Sequence, residues 1–282
     1  MTADQKTTSS RFLTEPDPQR VMFSPVAPGI SRAVANNPSL MTYHGTNTYL
    51  IETSEGDFLL DPGPVEDEAH LELLCKALAP RGAGILVTHH HSDHTGLLGL
   101  LKKRSGLPVY ASDRYAGDII LADVLLKDGD MVAGLEVIHT PGHASDHICF
   151  SRGDVLFSGD HVMAWNSSIV RGPDGNMRDY VNSLQLLIDR PEPLYLPGHG
   201  PALPEPRPYL ERLLGNRVRR EEAIFAMLQR VRESTIVEIA KALYHKDDPY
   251  LMWAAQANVE AHLHKLQEEG KVRQNGDTWS PA

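Results

Sequence analysis

The stretch Thr88-His89-His90-His91-Ser92-Asp93-His94 limits what this chain can become more than any other. Read as His-x-His-x-Asp-His, it sets His89, His91, Asp93 and His94 within six positions. An apolar run, Gly84-Ile85-Leu86-Val87, precedes it, and Gly96-Leu97-Leu98-Gly99-Leu100-Leu101 follows. That order spells a buried strand, a loop crowded with ligands, and the start of a helix. Neutral imidazole and carboxylate are the groups that bind divalent zinc at neutral pH. A solvated histidine-rich turn would need neither the aspartate nor the strand in front of it.

Further candidates stand at the ends of other predicted strands. His143 lies in Thr140-Pro141-Gly142-His143, after the alternating run Leu135 to His139. Asp160 closes Phe157-Ser158-Gly159-Asp160, after Val155 to Phe157, and His199 lies in Leu196-Pro197-Gly198-His199-Gly200. A glycine beside each lets the backbone approach a crowded centre. With the first cluster this makes seven ligands, five His and two Asp. One zinc takes about four ligands and a catalytic one leaves a position open, so seven fit two metals with a bridging carboxylate.

The 282 residues suit one large and one small domain, and a formal net charge of -10 disfavours a generic nucleic-acid coat. Cys75 and Cys149 cannot form a disulfide framework and read as core residues, which suits a reducing compartment. The start of the chain lacks the apolar core of a secretory signal, and no apolar run approaches the ~18 residues a membrane span needs. The expectation is a cytoplasmic protein without a membrane partner.

Residues 1–20 read as a flexible N-terminal tail. The segment 21–204 reads as a catalytic domain. There Val21–Asn37 forms an edge strand, Thr46–Ile51 and Asp57–Asp61 a hairpin, Glu66–Ala79 a helix, and Tyr115–Leu126 a helix or lid. A hairpin over 148–157, a helix over 179–188 and a last strand at Leu194–Leu196 complete it. Runs of strand alternate with helix twice, which suggests two sheets with helices outside. Prolines at 201, 204, 206 and 208 stiffen the connector to residues 205–282. Here helices over 209–231, 235–243 and 249–269 precede a hairpin turning at Asn275-Gly276, the outline of a winged helix. Trp253 and Trp279 are expected in its core.

Taken together, Thr-His-x-His-x-Asp-His, Pro-Gly-His, Ser-Gly-Asp and Pro-Gly-His-Gly resemble the motifs of the metallo-β-lactamase superfamily. Gly45–Leu50, Thr140–His143, Pro173–Met177, Tyr180–Leu184 and the winged helix resemble the lactamase-beta-like protein 2 group. The resemblance covers nearly all of the chain after about residue 20, with one departure, Asn216-Arg217 where the group tends to have His-Arg. It implies an α+β fold, a four-layer αββα sandwich with the metals at one edge of its sheets, followed by the small winged helix. His89, His91 and His143 would then hold one metal, and Asp93, His94 and His199 the other, with Asp160 bridging. Asp61 is a candidate to receive the second N–H of a ligating imidazole. His90 and His161 fall outside the pattern, and Asp146 and His147 are candidates for a supporting role.

The activity that follows is that of a zinc-dependent hydrolase with two zinc ions per chain, manganese or iron fitting the same donors. A metal-bound hydroxide is the expected nucleophile, with Asp93 and Asp160 as catalytic carboxylates. Class B β-lactamases carry Cys near the Asp160 position, which disfavours antibiotic hydrolysis. The spacing of Asp160 and His199 leaves no room for the insert of β-CASP nucleases. The winged helix argues against the glyoxalase II branch, and the length against the flavodiiron proteins. The first reading is cleavage of a small-molecule ester or thioester, with Asn47, Trp165, Asn166 and Ser167 lining the pocket. The second is an endoribonuclease or phosphodiesterase acting on single-stranded RNA, served by Arg212, Arg217, Arg219, Arg220, Arg230 and Arg232. A third, of another class, is a winged-helix nucleic-acid-binding or interaction protein with a vestigial metal site. A homodimer is allowed for.

Overall fold

The computed structural model describes residues 15–115, 117, 121–244 and 248–282. By contact the chain divides into two compact units, residues 1–140, 146–167 and 191–206 forming the first and 141–145, 168–190 and 207–282 the second.

The first unit is built on two mixed sheets. One has seven strands in sequence order: β1 (Ser24–Ala27), β2 (Ile30–Val34), β3 (Asn47–Thr53), β4 (Gly56–Leu60), β5 (Gly82–Leu86), β6 (Val109–Ser112) and β7 (Val124–Leu126). Pairing is antiparallel from β1 to β4 and parallel from β4 to β7. The other sheet orders β8 (Met131–Val132), β9 (Leu135–His139), β10 (Ile148–Arg152), β11 (Val155–Gly159), β12 (Leu194–Pro197) and β13 (Leu203–Pro204) from edge to edge as β13-β12-β11-β10-β9-β8.

Alternation along the strands sorts the core into layers. Tyr49, Ile51, Phe58, Leu60 and Leu86 join Val137, Ile148, Phe150, Phe157 and Leu196 in one cluster fed by both sheets. Their neighbours Leu59, Ile85 and Val87 point the other way, onto Leu71, Leu74 and Leu78 of α1 (Glu68–Leu78) and Leu98 and Leu101 of α3 (Leu98–Ser105). The one-turn α2 (Ser92–Thr95) stands between those two helices in sequence. Cys149 is fully buried, its Sγ 3.2 Å from Thr140 Oγ1, and Cys75 packs half-buried against the helix layer; the two are not joined in a disulfide.

Several expectations need correction. Leu194–Leu196 is not the last strand of its sheet, because β13 adds to its edge through Leu194↔Pro204 and Tyr195↔Leu203. Within Tyr115–Leu126 the described part includes β7, while residues 116 and 118–120 lie outside the described residues. Of the predicted tail, residues 1–14 also lie outside them. Its remaining end is tied down: Arg20 donates to Ala35 O (2.6 Å) and His44 O (2.8 Å), and Glu15 pairs with Arg32 (3.2 Å).

The second unit contains α4 (Met177–Ile188), α5 (Pro206–Val231), α6 (Ile236–Tyr244), α7 (Pro249–Glu268) and a three-stranded sheet of β14 (Ser234–Thr235), β16 (Thr278–Pro281) and β15 (Val272–Asn275) in that order. Its caps follow the expected chemistry. Thr235 and Glu238 form a reciprocal capping box at α6, and Asp248 accepts from Tyr250 N and Leu251 N at α7. Ile224, Leu228, Ile239, Val259, Leu263 and Trp279 make the core. Trp253 is not part of it: 37 % exposed, it stands beside Tyr250 and under Arg171.

Candidate metal centre

Six of the seven expected ligands lie in the first unit, each just beyond a strand end. β5 runs into His89, His91, Asp93 and His94, β11 into Asp160 and β12 into His199. The ligand atoms of His89, His94 and Asp160 lie within 4.8 Å of one another, as do those of Asp93, His94 and His199. His94 Nε2 is 3.2 Å from His199 Nε2 and 3.4 Å from Asp160 Oδ1. His199 Nε2 is 3.1 Å from Asp93 Oδ2 and 3.3 Å from Asp160 Oδ2. His89 Nε2 faces His91 Nδ1 at 3.0 Å. Ring nitrogens facing each other this closely need a proton or a cation between them, so the donor set suits a divalent metal.

Protein groups fix the ring tautomers. Asp61, in the left-handed region at φ 55° and 2 % exposed, accepts from Thr88 N (2.8 Å), Thr88 Oγ1 (2.8 Å) and His94 Nδ1 (2.9 Å). His94 must therefore carry its hydrogen on Nδ1 and present Nε2. Because the Thr88 hydroxyl is spent on Asp61, its oxygen accepts from His89 Nδ1 (2.9 Å), which likewise leaves Nε2 as the ligand atom. His199 Nδ1 donates to Gly45 O (3.3 Å). His143 belongs to the second unit, where its Nδ1 donates to Ile169 O (2.7 Å).

Charge in the first unit is arranged as a cation would require. Burial opposes the charged form of His94, but Asp160, Asp93 and Asp61 outweigh it and hold the ring well above the usual imidazole range. His199, also fully buried, is pushed up to about 9 by Asp160 and Asp93. Burial would raise Asp160 and Asp93, yet the facing His94 and His199 keep both below the usual carboxylate range.

Supporting residues surround the ligands: His147 and Asp146 were candidates from the sequence, whereas Thr140 and His70 escaped it. The Asp160 N–H donates to His147 Nε2 (3.2 Å), and Thr140 Oγ1 bonds His147 Nδ1 (2.8 Å), so a buried histidine holds the carboxylate-bearing turn. The signal was present: Thr140 and His147 stand at the facing ends of β9 and β10. His90, outside the ligand pattern, bonds Asp146 (2.9 Å). His70 Nε2 bonds Thr48 Oγ1 (2.9 Å), which donates to Asp61 O (2.7 Å). Among the expected pocket residues, Asn47 is 1 % exposed and gives both amide hydrogens to backbone, Pro197 O and Gly200 O (each 2.9 Å). Trp165 is half-buried beside Tyr43 and against Gly200, while Asn166 is exposed and Ser167 half-buried.

The family model of the metallo-beta-lactamase superfamily matches residues 41–199, more than half of the chain. This chain belongs to that superfamily. A beta-lactamase associated winged helix domain matches residues 235–279. The chain has two mixed sheets with helices followed by a small winged helix, and with its His/Asp donor set it is a metal-dependent hydrolase of this superfamily. A beta-lactamase-like protein 2 homolog of Drosophila melanogaster is 30 % identical over 86 % of this chain and 89 % of its own. An atrochrysone carboxyl ACP thioesterase of Aspergillus chevalieri is 28 % identical over 83 % of this chain and 78 % of its own. The crystal structure of a metallo-beta-lactamase family protein of Thermus thermophilus superposes with a TM-score of 0.74 at 24 % identity, covering 91 % of this chain and 99 % of that one.

Proposed function

We propose that this hydrolase cleaves a small-molecule ester or thioester with two zinc ions in its donor set, and that a thioester is the preferred substrate. The observation that carries the reading is the paired donor set of preset imidazoles, in a chain similar along most of its length to an acyl-carrier thioesterase. His89, His91 and His143 would hold one ion and Asp93, His94 and His199 the other, with Asp160 shared. The bound ions would supply a water acidified towards neutrality and a Lewis acid for the carbonyl oxygen.

The chain's own residues do the rest. Asp160, buried between His94 and His199, fixes the spacing of the two groups of donors. Asp93, whose side chain is 32 % exposed, is the more open carboxylate and the better placed to hold a proton in the course of acyl cleavage. Trp165 with Asn166 and Ser167 would contact the substrate.

The endoribonuclease reading loses two of the six arginines invoked for it, Arg217 and Arg220, while Arg212, Arg219, Arg230 and Arg232 stay exposed. Arg217 is buried, and Arg220 donates to Leu243 O (3.0 Å) with its guanidinium stacked on Tyr244. Side-by-side assays of zinc-loaded protein on an acyl-pantetheine thioester, an aryl ester, an aryl phosphodiester and single-stranded RNA test the reading, with His91→Ala as control. Thioester turnover that disappears in the control is expected. Metal-dependent turnover of RNA alone would replace the reading with the nuclease one, and turnover of nothing would favour a binding protein.

A further inference from the structure

Arg217 is 7 % exposed in a helix whose neighbouring arginines Arg212 and Arg219 reach solvent. No described ion pair gives it a carboxylate. Its Nη1 donates to Asn258 Oδ1 (2.7 Å), its Nη2 to Ser168 O (2.5 Å), and its Cζ lies 5.0 Å from the centre of the Tyr180 ring. Burying a guanidinium among neutral partners is expensive, so stability alone is a poor reason for it. What the arrangement supplies is direction, because a charge-assisted bond from a rigid planar donor fixes a carbonyl more firmly than a neutral donor does.

The fixed carbonyl belongs to Ser168, and the next one, Ile169 O, accepts from His143 Nδ1 at 2.7 Å. A second route runs through Tyr180. Its ring lies under Arg217, while its backbone approaches Gly142 so closely that a Cβ there would sit 2.2 Å from Tyr180 N. The loop that carries His143 is held at three more points: Ser183 Oγ to Pro141 O (2.8 Å), Asn176 N to Gly142 O (2.9 Å), and Ser145 N to Asp174 Oδ1 (2.9 Å). All these residues belong to the second unit.

We propose that Arg217 is a positioning residue for His143: by anchoring Ser168 and the Tyr180 ring it holds Ile169 O where it keeps the His143 hydrogen on Nδ1 and leaves Nε2 as the metal-binding atom. The inference rests on reading His143 as a ligand. It gives the C-terminal part of the chain a task in the reaction that requires no contact with substrate.

The test uses the metal-free full-length protein, labelled with 15N, and then its titration with zinc against a chromophoric chelator. In the wild type the His143 ring nitrogens, assigned with His143→Gln, should report a single tautomer protonated at Nδ1. Arg217→Met should mix the tautomers and weaken one of two zinc sites about 10–100-fold, the other staying within about threefold. Where Arg217→Met does not fold, Arg217→Lys keeps the charge and one donor and should move both readouts in the same direction. An unchanged tautomer or an unchanged zinc affinity in the folded variant overturns the proposal. If His143→Gln itself keeps both zinc sites at wild-type affinity, the ligand reading is what has failed, and the tautomer measurement still reports whether Arg217 orients the ring.

Discussion

Asp61 shows how much one side chain can settle. It sits in a conformation that residues other than glycine rarely adopt, and its two oxygens take three hydrogen bonds, from Thr88 twice and from His94. Asp61→Asn replaces one acceptor oxygen with a donor and leaves His94 without its orienting partner. Zinc affinity should fall about 10–100-fold in a chelator competition, and an affinity equal to the wild type would end the orienting role. Gly159 is as specific: at φ 47°, a Cβ there would stand 2.5 Å from His147 Nε2. Gly159→Ala should therefore disturb the Asp160 turn and lower metal content, measured by elemental analysis of folded protein. His70 makes a pH prediction. Burial lowers its pKa to about 4, Asp67 opposing. An unfolded histidine near 6.5 takes up its proton first as the pH falls, so stability declines below about 6.5 and the loss continues towards pH 4. Urea unfolding of the metal-free protein should show about 2 kcal/mol of this loss at pH 5. It should be absent from His70→Gln, and an equal decline in both proteins would rule His70 out as its source.

Among the elements, the ligand-bearing strand ends were the most readable part of the chain. There a short apolar run, a glycine and an imidazole or carboxylate coincide within a few residues, and nothing distant is needed to place them. β7, β8 and β13, of two or three residues each, have no alternation to detect and exist because a neighbouring strand offers its backbone. Helix faces were legible as faces but not residue by residue. Periodicity along α5 gives an Arg-rich side that looks solvated, whereas Arg217 turns inward to partners 49 and 41 residues away in sequence. Trp253 failed for the converse reason: a large aromatic suggests a core, yet the buried side of α7 is set by Ala255, Val259, His262 and Leu266. The start of α1 also holds more than a cap. Asp67 accepts from His70 N (3.0 Å) and, with its other oxygen, from Asn36 N (2.7 Å) in the loop after β2. Asp67→Ala should cost about 1–2 kcal/mol in urea unfolding, and a loss within measurement error would mean that water replaces both bonds.

For the whole molecule, the proposed two-metal centre would tie stability to metal supply. A ligand that binds only the folded chain stabilises it by about 2.7 kcal/mol at a hundredfold excess over its dissociation constant. Chelation should lower the melting temperature and zinc should restore it. Asp160→Ala should lose activity together with part of the metal, and full activity with full metal content in that variant would remove the shared-carboxylate account. The loops around the centre are themselves bound into the sheets. Asn47 N donates to Gly198 O (2.7 Å), Gly198 N to Gly159 O (2.8 Å), Gly63 N to His94 O (2.9 Å) and Leu97 N to Gly63 O (2.9 Å), while Thr46 and His199 form a bridge of their own. Loop amides ordinarily exchange with solvent deuterium through small local openings. Of these, Asn47 N to Gly198 O and the Thr46–His199 bridge join β3 of one sheet to the end of β12 in the other, and they can open only when the two sheets let go of one another. The Asn47 amide should therefore trade hydrogen for deuterium as slowly as the middle of β3 or β11, with or without metal, which would make this seam beside the reactive edge one of the last places in the sandwich to come apart.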